Sequence, residues 1–217
     1  MKNLGFILLL GILLISACNT QVQRTASQQQ IANLQEGCMV VRLSKRTKKV
    51  DMLQRAGYTK RAEAELKIRE QLNFDLYNSF TQHFDFCPVY FTYSENSDKL
   101  INKQLNEPIW LNEKLEIDPN ITVECPEFLI AQYGFTQTDT TAYMSQEFME
   151  NSNDERATSN QTIEGIYLLS DQMVQLHRPF PYYSKKYFLL FENDMDKMVK
   201  SLNNRLVSYY ARQAQYR

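Results

Sequence analysis

The sequence predicts an α/β domain built on a mixed β-sheet flanked by helices. Short runs of β-branched and aromatic residues, typical of strands, alternate with longer segments whose apolar residues recur every three or four positions, as on one face of a helix. Strands separated by helices imply at least one parallel β-α-β unit, and two neighbouring runs near the C-terminal end indicate a hairpin. We therefore expect a single domain whose sheet contains both strand orientations.

The first half of the domain is predicted to hold two strands on either side of a helical segment. Cys38–Leu43 is a short, largely apolar run, and residues 86–93 are mostly aromatic and β-branched. Between them, residues 45–83 carry an apolar stripe at helical spacing. Gly57 followed by Thr59 is typical of one helix end and a new helix start, so this segment is either two helices or one bent helix.

The second half is predicted to contain shorter elements. They are a helix beginning at Ser94 or Ser97, strands at 108–111 and 128–133, a polar surface loop at 137–162, a hairpin with arms at 163–170 and 173–177, and a last helix from Asn193.

The order of the elements is similar to that of thioredoxin-like folds, although the sequence has no Cys-x-x-Cys motif. The resemblance implies that fold without its redox chemistry.

Composition excludes several classes of protein. The 217 residues include 24 Lys and Arg against 25 Asp and Glu, a formal charge of −1, which argues against a basic nucleic-acid binder. A hydrophobic content of 43% excludes global disorder. Outside the N-terminal apolar run the glycines stand far apart, so no phosphate-binding loop and no dinucleotide fingerprint is present.

The N-terminal segment has the pattern of an export signal. Lys2 precedes an apolar run from Leu4 to Ile15, which would form roughly 18 Å of helix, too short for a hydrocarbon core of ~30 Å. A basic start, a short apolar core and small residues are typical of a signal peptide. We expect residues 1–17 to be removed by cleavage after Ala17.

The end of this segment, Ile15-Ser16-Ala17-Cys18, resembles the lipobox of bacterial lipoproteins. The resemblance implies that the Cys18 thiol receives a diacylglyceryl group and that acyl chains such as palmitate anchor the protein in a membrane. Asn19 resembles the sorting pattern of Gram-negative outer-membrane lipoproteins, which implies an outer-membrane anchor facing the periplasm. The alternative is an ordinary signal peptide, with Cys18 present by chance.

Residues 18–36 are predicted to form the lipidated N-terminus and a flexible tether, and residues 37–217 the domain. Asn19 to Gln35 is rich in glutamine, contains no acidic residue and has no sustained apolar period. A flexible chain of this length would hold the domain roughly 20–25 Å from the bilayer.

Three cysteines remain once Cys18 is assigned to lipid. We favour three buried, reduced residues, because cysteine is among the most buried residue types. The alternative is a disulfide between Cys87 and Cys125, since both precede prolines at predicted strand starts, with Cys38 left as a thiol.

No motif indicates catalysis, a metal site or a cofactor. His83 and His177 are the only histidines, and neither a His-Glu-x-x-His pattern nor a spaced cysteine pair is present. Cys87 and His83 are the only nameable candidates for thiol chemistry, and no spacing selects a carboxylate pair. The catalytic residues of any enzyme activity therefore stay unknown.

Two groups of side chains are candidates for binding. The basic group comprises Arg42, Lys45, Arg46, Lys48 and Lys49. It is either a solvated helix face, which we favour, or a patch that binds lipid phosphates or an acidic partner. The aromatic run at 180–188 either covers an edge of the core, the commoner case, or stacks on sugars or a partner protein.

Asp139-Thr140-Thr141 resembles the short motif on which exported proteins of Bacteroidetes-type bacteria are O-glycosylated, which implies a glycan on Thr140. The chain as a whole resembles the small exported lipoproteins of those bacteria. We expect a lipid-anchored envelope protein with an accessory or binding role, whose partners are the membrane and envelope proteins, glycans or anionic lipids, and not nucleic acid. The alternative is a periplasmic enzyme with a dispersed thiol- or carboxylate-based active site.

Overall fold

A five-stranded sheet with strand order β2-β1-β3-β4-β5 forms the centre of the protein. The computed structural model describes residues 26–45, 47–137, 162–186 and 194–214. The strands are β1 (Cys38–Leu43), β2 (Val89–Tyr93), β3 (Phe128–Gln137), β4 (Thr162–Leu169) and β5 (Tyr183–Lys185). β1 runs parallel to both β2 and β3, whereas β4 is antiparallel to β3 and β5. The predicted mixed sheet is therefore confirmed.

Helices flank the sheet. They are residues 26–36 (α1), α2 (Thr47–Arg55), α3 (Thr59–His83), α4 (Ser97–Ile101), which follows a 3-10 turn at Ser94–Asn96, and α5 (Asp194–Ala214). Across the residues that the structure describes, no helix has both the length and the apolar character needed to cross a bilayer.

The segment at 45–83 is two helices, separated at Gly57. Gly57 has a φ of 77°, a left-handed conformation that glycine adopts without steric cost. The N–H of Tyr58 donates to the Leu53 carbonyl at 2.8 Å and that of Gly57 donates to the Gln54 carbonyl at 2.9 Å, which closes the end of α2. The glycine therefore ends one helix and lets α3 start in a new direction.

Alternate residues of β1 enter two separate hydrophobic clusters. Met39, Val41 and Leu43 belong to the larger cluster, which α1, α3 and α5 supply, and we call this side the helical face. Cys38 and Val40 belong to a smaller cluster under α4 and the loops at 105–125, which we call the loop face. The period of two along the strand thus divides the core between the two sides of the sheet.

The predicted tether is wrong for residues 26–36, which form α1. Ile31 and Leu34 are each 1% exposed and pack into the helical-face cluster. The side-chain amide of Gln28 donates to Oε1 of Gln213 at 2.6 Å. Two apolar residues three positions apart are too few to give a sequence period, but their burial is enough to hold the helix on the domain.

Two predicted strand segments in the second half pair less than expected. The arm at 173–177 pairs with β4 through the single bridge between Leu169 and Gln175, and β5 forms the ladder with β4 instead. The segment at 108–111 makes single bridges rather than a ladder. Of the predicted polar loop, residues 138–161 lie outside the part of the chain described.

The cysteines pair differently from either prediction. Cys38 is joined to Cys125, and Cys87 is buried and reduced. Cys38 points from β1 into the loop-face cluster, where Cys125 also lies, whereas Cys87 packs into the cluster of the helical face. The sheet therefore separates Cys87 from Cys125.

Candidate functional site

Four polar side chains lie in a row across the loop face of the sheet. Thr92 of β2, Arg42 of β1, Gln132 of β3 and Tyr167 of β4 are successive register partners on neighbouring strands. With strands about 4.8 Å apart, this polar row spans roughly 14 Å. It lies near the carboxyl ends of the parallel strands β1 and β2, the end where open α/β sheets commonly bind ligands.

The polar row begins where the loop-face core ends. Val40, Ile130 and Leu169 are buried in that core, two positions before Arg42 and Gln132 and two after Tyr167. Because side chains two apart on a strand share a face, each strand passes from apolar to polar at the same level of the sheet. The polar row therefore borders the buried apolar core of the loop face.

The Arg42 guanidinium has few hydrogen-bond acceptors and no negative charge close to it among the residues described. Its Nη1 donates to Oγ of Ser97 at 3.0 Å and lies 3.4 Å from Sδ of Met173. Its Nε is buried and has no hydrogen-bond partner among the residues described, and no carboxylate in those ranges lies within ion-pair distance. Burial lowers the pKa of Arg42 and the nearby Tyr167 raises it, but a guanidinium stays charged at neutral pH.

Short polar contacts fix one end of the polar row. The Ser97 hydroxyl donates to the Ser94 carbonyl at 2.6 Å while it accepts from Arg42. The Thr92 hydroxyl donates to the Ile109 carbonyl at 2.7 Å and accepts from Nδ2 of Asn96 at 3.1 Å. Thr92 is therefore satisfied within the protein, and Ser97 positions the guanidinium.

At the other end of the polar row, one side-chain atom of Gln132 lacks a hydrogen-bond partner among the residues described. Oε1 of Gln132 is buried and accepts no hydrogen bond from any residue described. Burial raises the pKa of Tyr167 above its usual value although Arg42 lowers it, so the phenol keeps its proton at neutral pH. A buried donor or acceptor without a partner costs about 1–3 kcal/mol, and such groups are rare in folded proteins. In the polar row, Arg42 Nε and Gln132 Oε1 are the two buried atoms of this kind among the residues described.

The structure separates Arg42 from Lys45 and Lys49 of the predicted basic group. Arg42 points to the loop face, whereas Nζ of Lys45 lies 4.0 Å from the ring centre of Tyr93, which packs on the helical face. Lys49 forms an ion pair with Glu65 at 2.7 Å. Lys48 is exposed, and Arg46 lies outside the described residues.

Cys87 and His83 do not form a catalytic pair. Burial raises the pKa of the Cys87 thiol to about 12, which disfavours the thiolate that a nucleophile needs. Nε2 of His83 faces Oδ1 of Asp196 at 3.6 Å, and no contact joins it to Cys87 in the ranges described. These residues therefore lack the arrangement of a thiol enzyme.

Other predicted positions fall outside this site. Phe180 and Tyr182 are each 1% exposed, so they cover an edge of the core. Ala17, Cys18 and Thr140 lie outside the residues described. In the described ranges, no group of three histidine, cysteine or acidic side chains is placed to hold a metal ion.

Sequence reasoning found Arg42 but missed its neighbours. Thr92, Gln132 and Tyr167 come from three different strands, and their spacing along the chain carries no signal. Only the register of the sheet places them side by side.

No protein-family model, no curated protein and no solved structure matches the chain. The resemblance to thioredoxin-like folds stays a prediction. The functional assignment therefore rests on the polar row.

Proposed function

We propose that this is a lipid-anchored protein of the bacterial envelope that binds a small anionic ligand at the polar row without catalysing a reaction. The observation that carries the proposal is the half-buried Arg42, which lacks a carboxylate partner in the described part of the chain. A positive charge that lies beside the apolar core and has no carboxylate nearby favours an anion as its partner.

The unsatisfied atoms indicate the chemistry of the ligand. Arginine binds carboxylate and phosphate groups through paired N–H donors, so the anionic part of the ligand would lie at Arg42. Oε1 of Gln132 requires a donor, and the Tyr167 hydroxyl can donate or accept. An anion that also carries hydroxyl or amide N–H groups, such as an acidic sugar of an envelope glycan, matches the hydrogen-bonding chemistry of these three side chains.

The N-terminal sequence supports the proposed location. Ile15 to Cys18 supplies the lipobox pattern and Asn19 the outer-membrane sorting pattern. The Cys38–Cys125 disulfide is also typical of an oxidising compartment such as the periplasm. These features favour an outer-membrane anchor with the domain facing the periplasm.

The side chains favour binding over catalysis. Cys87 is buried with a raised pKa, which argues against the thiol-based enzyme. The polar row itself contributes a guanidinium, an amide and two hydroxyls, none of which is an ordinary general base at neutral pH.

Calorimetric titration with glucuronate, glucose 6-phosphate and neutral glucose tests the proposal. We expect the two anions to bind at least about tenfold more tightly than glucose, and Arg42→Gln to weaken their binding about tenfold or more, because a hydrogen bond to a charged group is worth about 1.5–3 kcal/mol. Lys48→Gln removes an exposed charge from the same predicted basic patch and should bind like wild type. Equal binding of all three sugars, or equal affinity of Arg42→Gln and wild type, would overturn the proposal.

A further inference from the structure

A cleft lies between the segment at 178–183 and α5. It has a volume of about 420 Å³, within the usual range for small-ligand sites, and we call it the arginine cleft. Arg178, Arg205 and Arg212 line it, and none of its lining residues is acidic. Three positive charges thus share one concave surface on the side of the sheet away from the polar row.

The fold brings the arginines together. Arg205 and Arg212 are seven residues apart on α5, so they lie two turns apart on the same side of the helix. Arg178 comes from the opposite wall. For neither Arg205 nor Arg212 does any described carboxylate lie within ion-pair distance.

The walls of the arginine cleft are held in place. Arg205 donates through Nη1 to the Tyr183 carbonyl, and its guanidinium lies 5.2 Å from the centre of the Tyr183 ring. The rings of Phe180 and Tyr209 pack edge to face at 5.9 Å behind it, and both residues are buried. The cleft is therefore formed before any ligand arrives, which lowers the entropic cost of binding.

The arginine cleft also lies near the start of the described chain. Gln28, in α1, is hydrogen-bonded to Gln213, the residue after Arg212. Seven residues lie between Cys18 and residue 26. The eight steps from one Cα to the next span at most ~3.6 Å each, or roughly 29 Å in all. An acyl chain on Cys18 would thus keep the Arg212 end of the cleft close to the bilayer surface.

We propose that the arginine cleft binds the phosphate of an anionic lipid headgroup in the membrane that anchors Cys18. The inference rests on the proposed lipid anchor for its choice of a lipid over another phosphate. Guanidinium groups match phosphate oxygens in pairs, and basic side chains near an anionic bilayer add to its attraction. The cleft would then orient the domain against the membrane, while the polar row lies on the other face of the sheet.

Vesicle co-sedimentation of the full chain tests this inference in a Cys18→Ala background, where no acyl chain contributes. Vesicles of phosphatidylcholine with 30% phosphatidylglycerol are compared with vesicles of phosphatidylcholine alone. Binding through the N-terminal apolar run contributes to both affinities and therefore cancels in their ratio. We expect Arg205→Gln/Arg212→Gln to reduce this ratio about 25-fold, from a contribution of about fivefold for each arginine. Lys48→Gln/Lys60→Gln removes the same amount of charge from exposed positions on α2 and α3, and it should change the ratio of affinities by less than about threefold.

Several outcomes would overturn the inference. An equal loss in both double variants would show an effect of net charge alone, and an unchanged ratio in the arginine variant would show that the cleft does not contact lipid. Circular dichroism and thermal unfolding confirm that each variant is folded. Because acylation is absent throughout, failure of the lipid anchor leaves these results unaffected and is detected separately by palmitate labelling.

Discussion

Asn203 of α5 makes three hydrogen bonds to the turn at Asp85. Its Oδ1 accepts from the backbone N–H groups of Asp85 at 3.2 Å and Phe86 at 3.1 Å, and its Nδ2 donates to the Asp85 carboxylate at 2.7 Å. This turn leads the chain from α3 into β2. One buried amide therefore fixes the position of the edge strand relative to the last helix.

Replacement of Asn203 by leucine should lower the free energy of unfolding by about 2–4 kcal/mol, because two backbone N–H groups lose their acceptor. Urea unfolding measures the effect. Asn204→Ala changes the exposed neighbour and should stay within about 0.5 kcal/mol of wild type. A similar, small effect of both substitutions would show that Asn203 does not stabilise the turn.

The Cys38–Cys125 disulfide closes a loop of 87 residues, so chain entropy predicts a contribution to stability of roughly 4–5 kcal/mol. We expect Cys38→Ala and Cys125→Ala to lose similar amounts, and reducing agent to have little further effect on either. Non-reducing peptide mapping of the wild type should recover Cys38 joined to Cys125. A peptide that joins Cys87 to Cys125 would contradict the observed pairing.

Cys87 should react slowly with alkylating agents in the folded protein. Its pKa is raised from an ordinary value of 9.0 to about 12, so thiolate is scarce at neutral pH, and alkylation should be roughly a hundredfold slower than in urea. The rate should rise with pH up to about 12. Fast labelling of native protein at pH 7 would contradict the burial of this thiol.

The same raised pKa predicts a loss of stability in alkali. Between pH 9 and about 12 the Cys87 thiol keeps its proton in the folded state but has lost it in the unfolded state. The contribution of this thiol to the free energy of unfolding is therefore complete below pH 9 and declines above pH 9. The decline should be roughly 1.4 kcal/mol per pH unit. Cys87→Ala provides the control, since its stability should fall less steeply over the same range in urea unfolding.

Leu34→Ala should lower the free energy of unfolding by about 2–5 kcal/mol, because the side chain is 1% exposed in the core under α1. Gln35→Ala, at the exposed neighbouring position, should have almost no effect. Thermal or urea unfolding distinguishes the two. If both variants match wild type, residues 26–36 do not pack on the domain and the predicted tether is correct.

Labelled palmitate should enter the wild-type protein and not Cys18→Ala, because the lipobox cysteine is the proposed acceptor. The variant should also be released into the soluble periplasmic fraction. Mature wild-type protein that begins at Cys18 but carries no added hydrocarbon mass would contradict the anchor.

The sequence by itself determined the class of fold and much of its local structure. Strand and helix periods place β1 and β2, and Gly57 marks the break between α2 and α3, because these features depend on residues close together in the chain. For the same reason the sequence predicts a last helix from Asn193, which agrees with the observed helix Asp194–Ala214.

Only the tertiary structure decided which distant residues meet. The sequence does not reveal α1, because Ile31 and Leu34 are isolated in a glutamine-rich segment. It does not reveal the pairing of Cys38 with Cys125 either, because the side of the sheet that each cysteine faces depends on strand register. The polar row brings Arg42 and Gln132 side by side from strands 90 residues apart in sequence. A local pattern carries no record of such pairing, since register is fixed by packing across the whole sheet.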